Sequence, residues 1–374
     1  MRISSLWKYH DTLLELFIDG GSNGTKFGAK GLLVEHCQRV WSTFLSAPES
    51  MLQCKRNGAF YTTVAVDIWE IINENHALIS TTSSFSLMLR MIHSYVECLL
   101  TLSKSIQTFS ANLCISNNAQ SETDSPSTAD YSEFELICAM VNDSIFHVEQ
   151  ILQFSEMCSR WWQRDKAMMR IGRFAVQLFE PSAAELLHCG RKGLELIVSI
   201  IISDIKPAYF QKLLTAEWVN GGKEFVETAL LTVSDYLKDL IVFLLPFWHE
   251  QLSSAIALEF SLEFAFSILQ NTCPDLMKRK ISDFLSSMYG NASTGKKYLP
   301  FDDELLSRLC GDISSIKIYF SKIISDPQTL LDCTSILTDI QLLLTLDTDE
   351  AICYACSLTA SDEVHIVLVV PRSN

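Results

Sequence analysis

Glycine and proline are scarce in this chain, at 14 and 9 residues in 374. An all-β chain of that length needs a turn about every ten residues, so the scarcity argues against strands as the main element. Positive charge is short as well: 29 Lys and Arg stand against 44 Asp and Glu, a formal net charge of −15. Such a chain repels phosphate backbones and anionic lipid, which removes nucleic acid from the expected partners. The densest basic cluster, "MKRK" at 277–280, reads as a basic helix end. Long apolar runs are also missing. "LELIVSIII" and "LIVFLLPFW" fall short of the ~18 residues of a membrane span. The first residues, "MRISSLWKYHDTLLELF", are broken by Lys8, His10, Asp11 and Glu15, unlike a signal peptide. The expectation is a cytosolic chain without a transmembrane segment. In that setting the sequons at Asn23, Asn142 and Asn291 go unused. The twelve cysteines lie mostly in apolar segments such as "ELICAMV" and "HSYVECLLTL", and read as small buried hydrophobes. No internal repeat recurs at a fixed period, which argues against a regular solenoid.

What is present is apolar residue at helical spacing. Hydrophobic residues make up 48% of the chain, enough for two or three packed units. Residues 60–79 carry Tyr61, Val64, Ile68, Ile71, Ile72 and Leu78 three to four apart, and 85–109 continue with Leu87, Met88, Met91, Ile92, Tyr95, Leu99 and Leu102. The polar, Ser-rich stretch at about 115–133, broken by Pro126, reads as a disordered loop. A helix from Phe134 then carries Ile137, Met140, Val141, Ile145, Val148 and Leu152 on one stripe. Pro181 marks a break, with Ser182 placed to cap the next helix and Glu185 three residues on. The apolar period runs over 183–216, "NGG" at 220–222 is a turn, and a helix from about Glu224 turns Phe225, Ala229, Val233, Leu237, Leu240, Ile241 and Leu244 inward. Helices at about 275–289 and 302–324 follow, and Asp326-Pro327 caps another.

The segment "AIALEFSLEFAFSILQ" is ambiguous. Apolar residues occupy every even position from Ile256 to Ile268, which is the alternation of a strand. The run is too long for a common strand of ~5–6 residues, and Ala, Glu and Leu favour helix. Ile256, Phe260, Phe264 and Ile268 also lie four apart. The reading is a helix buried nearly all round.

No catalytic, cofactor-binding or metal-ligating set emerges. Cys353 and Cys356 form a C-x-x-C without the βαβ setting of a redox dithiol. Only His365 stands near, short of the four ligands of structural zinc. "GGSNGTKFGAKG" at 20–31 lacks P-loop spacing, since Thr25 separates Gly24 from Lys26. "HEQLS" at 249–253 has Ser253 where a zincin needs its second histidine. The "HC" pairs at 36–37 and 188–189 sit inside apolar helical patterns. "DDE" at 302–304 stands at a helix start, where acids favour the dipole. "WW" at 161–162 and "FW" at 247–248 fit partner anchors or core packing equally.

Three stretches together resemble one family. "KLLTAEWVNGGKEFVETALLTVSDYLKDL" (212–240) places a helix ending at Trp218, a Gly turn and a helix carrying Ser-Asp-Tyr. "FDDELLSRLCGDISSIKIYFSKI" (301–323) is a helix with an acidic start and a closing Tyr-Phe. "ASDEVHIVLVVPRSN" (360–374) steps from acids into an apolar segment. In this order they are similar to the C-terminal half of the exocyst subunit Sec-six (exocyst component three) family. "GAFYTTVAVDIWEIINENHALIS" and "FELICAMVNDSIFHVEQIL" fall where that family has comparable helices. The resemblance implies an all-α fold of consecutive antiparallel helical bundles stacked into a rod, of the CATCHR type. It divides the chain into 1–52, the end of a preceding bundle, a bundle over 53–180, and a C-terminal bundle over 181–374. It implies a non-catalytic, cytoplasmic subunit of the exocyst, peripheral at the plasma membrane, which tethers secretory vesicles before SNARE-mediated fusion. The implied partners are other exocyst subunits and SNARE and SNARE-regulatory proteins. The alternatives are a subunit of a Golgi or endosomal tether, or an α-helical enzyme with a Cys/His site. In this frame the tail 347–374 reads as two short helices joined by "TASDE". Asp362 caps the second, and Val364, Val367 and Leu368 pack inward.

Overall fold

The computed structural model describes residues 38–43, 52–54, 58–82, 85–120, 130–162, 177–272 and 303–345. A short antiparallel hairpin pairs β1 (Leu52–Cys54) with β2 (Phe60–Thr62), in the register Leu52–Thr62, Gln53–Tyr61 and Cys54–Phe60. The rest is helical: α1 (Thr63–Thr82), α2 (Phe85–Gln120), α3 (Asp130–Trp162), α4 (Glu180–Ala208), a 3-10 turn (Phe210–Lys212), α5 (Ala216–Asn220), α6 (Glu224–Phe243), α7 (Pro246–Thr272), α8 (Asp303–Ser321) and α9 (Pro327–Thr345). The all-α expectation therefore holds for the described residues apart from the hairpin. Residues 60–62, expected to open a helix, form a strand instead. Both ends of the stretch expected as a loop at about 115–133 are helical, because α2 continues to Gln120 and α3 starts at Asp130; residues 121–129 lie outside the described residues. The expected helix at 275–289, the basic cluster at 277–280 and the tail with Cys353, Cys356, Asp362 and His365 lie outside the described residues.

The chain divides into two compact units: residues 1–197 with 242–245, and residues 198–241 with 246–374. The division falls after Ile197, inside α4. Pro181 occupies the first turn of α4, a position whose N–H has no helical partner to lose. Ser182 does not cap that helix. Its hydroxyl donates to the Phe179 carbonyl at 2.9 Å.

The first unit packs α1, α2, α3 and the start of α4 around one core. Ile68, Trp69 and Ile72 of α1 meet Met88, Ile92, Tyr95 and Leu99 of α2, and Ile151, Phe154 and Cys158 of α3. Phe154 anchors it, with edge contacts to Tyr95 and Phe179 at centroid separations of 5.5 and 5.6 Å. Rings set this way add to the burial term. At Gly193 of α4 a Cβ would lie 2.5 Å from Val141 Cγ2, so the glycine permits the close approach of α4 to α3.

The second unit centres on α7. Trp248, Leu252, Ile256, Phe260, Phe264 and Ile268 form its buried line, which packs with α9 and with the 3-10 turn. Helix α9 starts as the sequence suggested: Asp326 Oδ2 accepts the Thr329 N–H at 2.8 Å and the Thr329 hydroxyl at 2.6 Å. Those bonds hold the Asp326 carboxyl below its usual range.

Candidate functional site

Two clusters of buried polar groups organise the units. In the first, α3 carries Asn142, Asp143, Ser144 and His147, all buried. Asp143 accepts from the Thr62 N–H at 3.1 Å and from the Thr62 hydroxyl at 2.5 Å, fixing β2. The Asn142 amide donates to the Phe60 and Phe243 carbonyls at 2.9 and 2.8 Å, while its oxygen accepts the Leu245 N–H at 2.9 Å. Asn142 thereby satisfies backbone groups on both sides of it, a use that leaves the sequon no accessible amide. One and a half turns on, His147 Nδ1 accepts the Trp69 indole N–H at 2.8 Å. Burial pulls the His147 imidazole down to about 3.

The second cluster surrounds Asp312 of α8. Its Oδ2 accepts the Trp218 indole N–H at 2.9 Å and the Tyr209 hydroxyl at 3.2 Å. One turn back, Arg308 lies over the Trp218 ring, 4.4 Å from its centroid. Its guanidinium also donates to the Gly222 carbonyl at 2.6 Å and to the Val219 carbonyl. Gly222 has φ +60°, the left-handed conformation that suits glycine in the "NGG" turn. Burial raises the Asp312 carboxyl above the usual range, opposed by the Trp218 bond, the Arg308 charge and the Tyr209 bond. Both clusters join elements far apart in sequence, and every bond named in them is internal.

Among the described residues, those singled out for chemistry do not come together; the stretches 20–31 and 36–37 and Asp302 lie outside them. His188 is exposed while Cys189 is buried, its thiol donating to the Ser103 carbonyl at 3.4 Å. Burial pushes the Cys189 thiol up to about 11 and Cys158 up to about 12, far from the thiolate of a nucleophile. Cys138 and Cys333 are buried thiols as expected. Cys98, also buried, departs from that expectation in being disulfide-bonded. Ser253 donates back to the His249 carbonyl at 2.9 Å within α7. Glu304 is exposed in the first turn of α8. Among the described residues no group of three or more His, Cys, Asp or Glu is placed to hold a metal ion. Of the tryptophan pairs, Trp161 packs against the first core, and "FW" splits: Trp248 is fully buried and Phe247 is 53% exposed.

That split extends along α7. The seven even-numbered apolar residues divide into two lines of period four. Ile256, Phe260, Phe264 and Ile268 are buried, whereas Leu258, Leu262 and Phe266 are 43, 39 and 37% exposed. The helix is apolar on two faces and buried on one, which corrects the reading of it as buried nearly all round. By length and composition α7 could also cross a membrane, a property missed by counting only unbroken runs. Just over half of that stretch is buried within the structure, as for the core helix of a bundle.

Helical units stapled by internal polar bonds, with an apolar helix face left outward, define an α-helical bundle protein. A family model described as exocyst complex component Sec6 matches residues 38–356, and the chain belongs to that family. No curated protein matches it. Its fold is similar to that in the crystal structure of the C-terminal domain of the exocyst subunit Sec6p, at a TM-score of 0.64 and 10% identity, covering 90% of this chain and 84% of that one. The chain is a component of the exocyst family of complex subunits, with a helical-bundle fold shared by that domain.

Proposed function

We propose that this chain is a non-catalytic exocyst subunit that helps to tether secretory vesicles to the plasma membrane before SNARE-mediated fusion. In this reading it works in the cytoplasm, peripheral at sites of exocytosis. It binds other exocyst subunits and, through them or directly, SNARE and SNARE-regulatory proteins. The observation that carries the reading is the family match over residues 38–356. The likeness to the Sec6p C-terminal domain supports the fold it requires. The two polar clusters fit it too, since they spend their hydrogen bonds on fixing helices rather than on presenting groups to a substrate. Affinity purification of the tagged chain from its own cells tests it. Recovery of other exocyst subunits is expected, and recovery of none overturns the reading.

A further inference from the structure

Leu258, Leu262 and Phe266 form a line one helical turn apart on the outer face of α7. Phe247 lies eleven residues before Leu258 and so falls within about 20° of the same line. Ala255 lies close to that line as well, and the row spans about 28 Å at 1.5 Å per residue. A row of this length matches one face of a partner helix of about five turns. Exposed leucines occurring singly need no explanation, but three large apolar residues one turn apart, with Phe247 further along the same line beyond Gln251, do.

The charge on α7 itself is of one sign. Helix α7 carries Glu250, Glu259 and Glu263 and no Lys or Arg. Helix α9, which packs on α7, carries Asp332 and Asp339 and again no Lys or Arg. Lys206 of α4 is paired with Glu263 at 2.5 Å, and Lys317 of α8 donates to Gln341 of α9 at 3.2 Å and interacts with Asp339, so both cations are engaged within the unit. Glu259 stands exposed beside Leu258. An anionic lipid surface would be repelled here, because amphipathic helices that lie on membranes flank their apolar face with Lys and Arg. A second copy would bring the same acids against themselves.

We infer that the outer face of α7, the row Phe247, Leu258, Leu262 and Phe266, is a docking surface for a basic amphipathic helix of another protein. The apolar side of that helix covers the row, and its Lys or Arg residues face the exposed Glu250 and Glu259 of α7. This deepens the reading of the chain as a complex subunit by naming one surface and the chemistry that fits it. Direct contact residues on that surface are the four apolar side chains, Glu250 and Glu259.

The test places a photo-crosslinking benzophenone side chain at Leu262 of the full chain in its own cells, with a control at exposed Glu227 of α6. Mass spectrometry then identifies the adduct segment. A segment of another protein with apolar residues three to four apart flanked by Lys or Arg supports the inference. Adducts to this chain's own residues 273–302 or 346–374, to an isotope-distinguished second copy, to lipid or to an acidic segment overturn it, as does no adduct beyond the control. A synthetic peptide of the adduct segment is then titrated against the purified full chain. The triple variant Leu258→Gln, Leu262→Gln, Phe266→Gln should bind at least about tenfold more weakly with unchanged circular dichroism. The single exposed change Glu259→Lys should also weaken binding, and added salt should weaken the wild type. Equal binding by both variants overturns the inference. Exocyst subunits recovered without the adduct would sink this surface and leave the tethering reading standing. A basic-helix adduct without exocyst subunits would do the reverse.

Discussion

The indole N–H of Trp218 reaches the carboxylate of Asp312 across 2.9 Å and 94 residues of sequence. It ties together two of the stretches on which the likeness to the exocyst family first rested, 212–240 and 301–323. Arg308 completes the clasp by covering the Trp218 ring and holding the carbonyls of Val219, just before the "NGG" turn, and Gly222, its last residue. Asp312→Ala leaves two buried donors without their acceptor and should cost about 2–4 kcal/mol. Arg308→Lys keeps the charge but loses the fork and the stacking, and should cost about 1–3 kcal/mol. Urea unfolding read as a fall in midpoint at constant slope checks both.

Asn142 makes a sharper test of the first cluster, because it both donates and accepts. Asn142→Asp turns its two donor contacts, to Phe60 and Phe243, into carboxylate facing carbonyl. A loss of about 2–4 kcal/mol is expected, larger than that for the similar change at an exposed asparagine. Unfolding midpoints of the two variants compare them directly.

His147 gives the fold a pH dependence of known sign. Its folded value of about 3 lies below the ordinary value of 6.5, since burial disfavours the imidazolium. The neutral ring is the one that accepts from Trp69, so this group's contribution is fully present above about pH 6.5. It is lost as pH falls toward about 3, at up to ~1.4 kcal/mol per pH unit. Half-buried His76 is lowered in the same direction by its own burial. His147→Gln keeps an acceptor for Trp69 and removes the titration. Its stability between pH 6.5 and 5 should fall less steeply than the wild type's, as read by urea midpoints at each pH.

Two glycines should respond in opposite directions. Gly193→Ala drives a Cβ to 2.5 Å from Val141 and should destabilise by about 1–3 kcal/mol. Gly311 lies inside α8 with nothing within 4 Å of a built Cβ. Gly311→Ala should therefore stabilise by about 0.5–1 kcal/mol through helix propensity. Thermal unfolding of the two variants side by side gives both signs.

Much of this architecture is legible in the sequence, because long apolar periods report helices well. The α7 helix was read correctly against its strand-like alternation, since residue type and length outweighed period two. The two-faced character of that helix was not legible: a period of two maps onto both sides of a helix, and sequence alone does not say which side is covered. The stripe on α3 was followed correctly as far as Ile145 and then slipped by one residue. Leu152 is 65% exposed, and the buried line runs through His147, Ile151, Phe154 and Cys158. An apolar-only rule steps past His147, whose burial depends on a partner, Trp69, 78 residues away. The same limit hid Asp312, which reads as an ordinary helix acid until Trp218 and Tyr209 are beside it. Ile241, expected inward, is 57% exposed, because α6 ends at Phe243 and the buried line has turned to Leu240 and Leu244.

The measurement closest to the central claim is gradient sedimentation of the endogenous chain from a low-salt lysate, followed by identification of every protein in its peak. Membership of the exocyst predicts that the chain sediments in one large particle together with other exocyst subunits, and leaves that particle when they are depleted. A chain that sediments alone, or in a particle built from the subunits of a Golgi or endosomal tether, would contradict it.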